Sequence, residues 1–226
     1  MENALEEPMS ASPPERNRPA SDKRQLILDS AIKVFARTGY HGSRVSDIAR
    51  EAGIAYGLVY HYFKNKEEIL DTIFGEQWGG FLDALEVIGG GANSTEDKLL
   101  SIAGLILNAY RVRSDWVRVL VFEIQRSPRF SDPEQIRAMS RLFQIVADIL
   151  REGQERGELR GELDPDVACF IFIGGLDIVV TGRVLGVIEI EGDARRESEY
   201  YLKVARTVVD LFLNGIKAGA GSTGPS

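Results

Sequence analysis

Residues 56–66 carry the chemistry of a nucleic-acid contact. Tyr56, Gly57, Leu58, Tyr60, His61 and Tyr62 lie in a stretch without formal charge, and Lys64 and Lys66 follow it. Tyrosine hydroxyls and a histidine ring can bond to phosphates and base edges, and a leucine can meet a thymine methyl. Lysine brings charge to the phosphate backbone. An exposed aromatic helix rimmed by lysine suits the major groove of double-stranded DNA. Tyr60 and Lys66 are assigned to phosphate positioning, the first by hydroxyl and the second by charge. Tyr56, Gly57, His61 and Tyr62 are assigned to base edges or backbone. Arg44 and Ser46, at the start of the preceding helix, complete the candidate DNA-binding set.

Short helices must hold that stretch in place. Residues 45–52 read as one helix, closed by Gly53, because glycine takes the left-handed conformation that ends a helix. Residues 56–62 read as the next. Asn65 then caps a long helix, with Glu68 three residues on in a capping-box-like pattern. Ile48, Ala49, Ala52, Ile54, Val59 and Phe63 are the positions expected to face inward. Upstream, Ser21 can cap a helix running to about residue 38, with Ile27, Ala31, Val34 and Phe35 on one apolar face. Gly39 stops it.

Taken together, Phe35, Gly39, Val45, Ile48, Ala49, Ala52, Gly53, Gly57, Tyr60, Tyr62, Phe63 and Lys66 resemble the helix-turn-helix head of the TetR family of bacterial transcriptional regulators. The resemblance spans residues 22–74. It departs at Arg44 and Leu58, where the family commonly has a small hydroxyl residue. It implies a DNA operator as partner, a homodimer, a small-molecule effector bound in a second helical domain, and a long helix from Lys66 acting as the lever between them.

The rest of the 226-residue chain agrees with an all-α protein in four parts. Residues 1–20, with Pro8, Pro13, Pro14 and Pro19, read as a disordered tail. Residues 21–66 form the DNA-binding head and 67–216 a helical ligand-binding and dimerisation domain. Residues 217–226 read as a frayed end. The net charge is -7, yet 21–66 carry a basic excess and the remainder an acidic one, which suits phosphate contact by the head alone. Further helices are expected at 66–88, 94–113, 115–126, 132–157, 164–186 and 194–214. Ser127-Pro128 ends the third of these, and Asp132-Pro133 and Asp164-Pro165 give start signals.

Between 167 and 190 the sequence is almost continuously apolar. Asp177, Arg183 and Glu189 with four glycines argue against a membrane span. A helix apolar all round needs cover on both sides. With the final helix it reads as a four-helix dimer interface between two copies of the chain.

No catalytic constellation is present in the sequence: no G-x-S-x-G, no H-E-x-x-H, no Walker or Rossmann loop. The protein is therefore read as a regulator and not an enzyme, without cofactor or metal, since two histidines alone do not make a zinc site. A single cysteine, Cys169, and no signal-peptide pattern suit the reducing cytoplasm. Effector candidates are Phe74, Trp78, Phe81, Leu105, Asn108, Tyr110, Trp116, Val119, Phe122, Phe143, Phe172 and Asp177. Residues 170–186, FIFIGGLDIVVTGRVLG, resemble the fatty-acid-metabolism subgroup of the family, which implies a long-chain acyl-coenzyme A, with Arg111, Arg113 and Arg118 for its anionic head. A generic hydrophobic effector stays open beside it. So does a different class, a helical carrier or sensor of hydrophobic ligands whose head meets a protein.

Overall fold

The structure is a computed structural model that describes residues 20–124 and 133–214. Its helices are α1 (Ala20–Thr38), α2 (Val45–Glu51), α3 (Tyr56–Tyr62), α4 (Lys66–Gly89), α5 (Thr95–Val112), α6 (Ser114–Ile124), α7 (Pro133–Glu155), α8 (Pro165–Val184) and α9 (Ala194–Asn214). No strand occurs among the described residues, so the expected all-α class stands. The readings on the two tails, on Ser127-Pro128 and on the Asp132 cap lie outside them.

The head is built around α1. Its buried face of Ile27, Leu28, Ala31, Val34 and Phe35 meets Val45, Ile48 and Ala49 of α2, Val59 of α3, and Ile69, Leu70 and Ile73 of α4. Val59 is the only fully buried residue of α3, which leaves that helix lying on the surface of the head. The turn before it depends on Gly53, at φ +66, where any side chain is strained. The amides of Gly53 and Ile54 bond back to Arg50 and Ala49 and close α2 there. One expectation fails. Ser21 lies inside α1, which starts at Ala20, and its hydroxyl meets the Asp22 carboxylate 3.3 Å away instead of capping.

α4 leaves the head and enters the second domain. Its start follows the sequence: Asn65 Oδ1 accepts from the Glu68 amide at 2.8 Å. The Glu68 carboxylate, however, accepts from the amide of Lys64 rather than of Asn65. The far end of α4 is held by Lys98, which is 1% exposed. Its ammonium donates to the Gly89 carbonyl at 2.8 Å and to Glu152 at 2.7 Å. A buried ammonium is tolerated only when paired in this way. Beside it the Glu158 carboxylate accepts from the Thr95 amide at 2.7 Å, and Arg156 bridges Glu152, Glu158 and the Asn93 carbonyl. This knot joins the ends of α4, α5 and α7.

α5 packs chiefly on α9, and α7 on α8. α8 opens as its sequence requires, with Asp164 accepting from the amides of Asp166 and Val167 and Pro165 following it. It buries Ala168, Cys169, Phe172, Ile173, Leu176, Val180 and Val184. By length and composition alone α8 could cross a membrane, yet this side is spent on the fold. Its other side exposes Val167, Phe170, Ile171 and Ile178. α8 and α7 end two residues before their expected stops, with Gly186 and Gly157 beyond them in the left-handed region. The α8 glycines act partly inside the chain: Gly182 makes room for Ile188, while Gly174 opens outward.

Candidate nucleic-acid interface and effector region

α2 positions Arg44 and Ser46. The Asp47 carboxylate accepts from the Arg44 amide at 3.0 Å and from the Arg50 guanidinium at 2.7 Å. That bond holds the start of α2 and leaves the Arg44 side chain outward, with Ser46 exposed beside it. On α3, Tyr56 and Tyr60 stand one turn apart, 53% and 45% exposed. Their rings meet edge to face at 5.1 Å and their hydroxyls bond at 2.9 Å. The Tyr56 hydroxyl beside it raises the Tyr60 phenol above its ordinary value, and either hydroxyl can be the donor in their bond. Gly57 lies between them with no atom within 4 Å of where a Cβ would stand. His61 is exposed.

Three of the expected contact residues are also engaged within the chain. Tyr62 is half-buried against the head core, because it lies three residues after Val59 and shares its inward side. Leu58, four residues before Tyr62, is half-buried on that same flank. Lys66 donates to the carbonyls of Tyr40 at 2.5 Å and Ser43 at 2.8 Å, and lies over the Tyr40 ring at 4.2 Å. Its ammonium thus ties the α1–α2 link to α4, a fixing role that sequence spacing did not signal.

The effector candidates divide into groups. Phe74, Trp78 and Phe81 project from α4 toward Trp116 of α6. Phe74 stacks on Trp78 at 5.8 Å, Trp78 meets Phe81 at 5.3 Å, and Phe74 meets Trp116 at 6.1 Å. Trp78 Nε1 donates to the Ala138 carbonyl of α7 at 3.0 Å. Val119 is buried, and Leu105 and Phe122 pack against the same core. Phe143 instead pairs with Phe170 at 4.5 Å and lines a groove of about 460 Å3 between α7 and α8, with Ile136, Met139 and Cys169. Phe172 packs on Phe212 of α9, and Tyr110 lies beneath the Arg183 guanidinium. Asn108 and Asp177 are exposed and join none of these groups. Desolvation by the surrounding protein still pushes the Asp177 carboxyl above its ordinary value.

Of the arginines considered for an anionic group, Arg111 donates to Asn108 and Arg113 to Gln77, both neutral partners. Arg118 is half-buried. Sequence reasoning missed Lys98 and Arg183. Arg183 donates to the Ile188 carbonyl at 2.6 Å, Tyr201 at 3.2 Å and Glu197 at 3.3 Å, joining α8 to α9. A charge inside an apolar run was its only signal.

Residues 27–73 match the family described as bacterial regulatory proteins, tetR family. Residues 74–205 match the C-terminal region of YsiA-like proteins. The chain belongs to the TetR family. It is 30% identical over 195 residues to the fatty acid metabolism regulator protein of Bacillus subtilis, covering 86% of this chain and 95% of that one. It is 32% identical over 158 residues to the transcriptional repressor KstR2 of Mycobacterium tuberculosis, covering 65% and 74%. Among solved structures, the fatty acid degradation regulator FadR of Bacillus halodurans superposes with a TM-score of 0.75 at 28% identity, over 89% of this chain and 99% of that one. FadR of Bacillus subtilis in complex with stearoyl-CoA gives 0.73 at 28% identity, over 85% and 99%. This TetR-family protein is a ligand-responsive DNA-binding transcriptional regulator. The alternative of a carrier whose head meets a protein falls away.

Proposed function

We propose that the protein is a homodimeric repressor that binds a palindromic operator and is released by a long-chain acyl-coenzyme A. The observation that carries this reading is the aromatic cluster of Phe74, Trp78, Phe81 and Trp116 at the junction of α4, α6 and α7, in a chain similar along most of its length to a regulator bound to stearoyl-CoA. The cluster is carried on α4, the helix that continues into the head, so an acyl chain displacing it acts directly on the lever. Arg111, Arg113 and Arg118 stand near the ends of α5 and α6 for phosphate groups of the effector. The outward apolar residues Val167, Ile171 and Ile178 of α8, with Leu202 and Leu211 of α9, support a two-fold bundle between subunits. Such a dimer sets two α3 helices against half-sites about 34–36 Å apart. Arg44, Ser46, Tyr56, Gly57, Tyr60 and His61 face the DNA in this reading, with Lys66 holding the loop before α2. A transcriptional regulator acts where the chromosome lies, in the cytoplasm.

Effector free energy reaches the operator only as the difference between its affinities for the bound and released states. The chain has two tryptophans, Trp78 and Trp116, both in the cluster. Their fluorescence therefore reports binding without a label. Titration with stearoyl-CoA is expected to give a saturable change, and coenzyme A alone none. No response to stearoyl-CoA overturns the effector assignment.

A further inference from the structure

α3 is unusual in what its outward face lacks. Its sequence, YGLVYHY, contains no arginine, lysine, asparagine, glutamine, aspartate or glutamate. Those are the side chains that read guanine, adenine or cytosine through paired hydrogen bonds at base edges. The lysines and arginines of the head lie off α3, and three are engaged with acids: Arg50 with Asp47, Arg37 with Glu51 and Arg24 with Glu76. The polar side-chain atoms on the exposed part of α3 are the hydroxyls of Tyr56 and Tyr60 and the His61 ring.

The two tyrosines do not act as independent donors. Each hydroxyl has one hydrogen, and the 2.9 Å bond between them consumes one of the two. The pair can thus donate a single hydrogen bond to DNA. Its remaining recognition surface is apolar: two rings set edge to face, with the bare backbone of Gly57 between them, where nothing lies within 4 Å of an added Cβ. An apolar surface in the major groove discriminates through the thymine methyl group.

We propose that Tyr56 is the specificity-determining residue of the head and reads a thymine methyl with its ring, while its hydroxyl donates to Tyr60 and Tyr60 donates the remaining hydrogen to a phosphate. Tyr60 then sets the register and Tyr56 the sequence. Hydrogen-bond chains polarise their members, so the Tyr56 hydroxyl also strengthens the phosphate contact it does not itself make. The operator is expected to be thymine-dependent at the step facing Tyr56, with any hydrogen-bonded base discrimination from α3 left to the exposed His61 ring. This assignment rests on the DNA-binding reading above.

The test begins with selection of bound duplexes from a random pool, followed by replacement of each thymine in the selected site by uracil, which removes only the methyl group. At the step facing Tyr56 the wild-type protein should lose about three- to fivefold in affinity per subunit, as expected for one buried methyl-sized group. Tyr56→Ala should abolish that penalty and accept any base there. Tyr56→Phe should keep the penalty, while Tyr60→Phe should weaken all sequences alike. Tyr56 is exposed, so these variants leave the head core intact, and circular dichroism checks it. A selected operator indifferent to uracil, or a penalty unchanged in Tyr56→Ala, overturns the assignment and leaves the DNA reading standing. Failure to select any duplex overturns the DNA reading itself.

Discussion

Single side chains decide how firmly the head grips DNA. Tyr60 is 45% exposed and anchored by Tyr56, so under the proposed DNA contact Tyr60→Ala removes a charge-assisted bond to phosphate without touching the core. Such contacts contribute about 1.5–3 kcal/mol. Operator affinity measured by anisotropy is expected to fall about tenfold to a hundredfold, evenly across sequences, and an unchanged affinity in a folded variant refutes the assignment. Cys169 makes the opposite case. It is 1% exposed, its thiol donates to the Asp166 carbonyl, and burial pushes its pKa up. A thiol reagent should therefore label it only on unfolding; rapid labelling of the native protein would show this reading of Cys169 to be mistaken. At this scale the sequence was informative where spacing alone sets direction. Val59, Phe63 and Ile48 are buried as helical periodicity requires. It did not show that Tyr62 and Leu58 would be half-buried on the flank of α3 nearest the core, while Tyr56, three residues before the buried Val59, stays exposed. It was silent on Lys98, since nothing in the neighbouring sequence reveals that its ammonium reaches the carbonyl of Gly89 and the carboxylate of Glu152.

Among the helices, α4 matters most, because it belongs to both domains. Lys66 and the Arg24–Glu76 ion pair fasten its first part to the head, and Lys98 fastens its last residue to the body. Between them Gly75, Gly79 and Gly80 have open space where a Cβ would stand. Glycine in a helix interior costs roughly 0.5–1 kcal/mol relative to alanine. Each Gly→Ala change there should thus raise stability by about that amount, seen as a rise of about 1–4 °C in Tm for a chain of this size. A fall in Tm would mean that the space is needed for something other than this chain. The knot at the far end has a pH signature. Lys98 first, then Arg156, holds the Glu152 carboxyl below its usual range, and the Thr95 amide does the same for Glu158. A depressed carboxylate stabilises the fold fully above its unfolded value, about 4.3, and that stabilisation is lost as pH falls through the lower folded value. Urea midpoints should be insensitive to these two groups near neutral pH and fall below about pH 4.3. Glu152→Gln and Glu158→Gln should lower the neutral midpoint and flatten that acid limb. An acid limb as steep as in the wild type would remove the knot from the explanation. The caps at Asn65, Ser94 and Asp164 were legible as polar residues before apolar runs. The fastening of the α4 end was not, because Lys98 reaches Gly89 across the α4–α5 turn and its carboxylate partner, Glu152, lies 54 positions further on.

The whole molecule is an apparatus for coupling two sites. Apolarity on both sides of α8 was readable in the sequence, and one side is spent on packing within the chain. Ile171 and Ile178, one heptad or about two turns apart, remain 65% and 66% exposed. Aspartate at both positions places charge in the proposed subunit interface and is expected to yield a monomer in sedimentation, with weakened operator binding. A dimer that persists would move the interface elsewhere. Which aromatic residues converge was not readable from the sequence, because Phe143, Phe172 and Tyr110 have the same character as Phe74 and Trp78 and differ only in their neighbours. The most direct measurement of ligand-responsive repression is the anisotropy of a selected operator duplex bound by the full-length protein, across a salt series, with and without stearoyl-CoA. Tight binding that weakens steeply with salt and is released by stearoyl-CoA but not by coenzyme A is the expected result. Binding that ignores stearoyl-CoA at saturating concentration contradicts it.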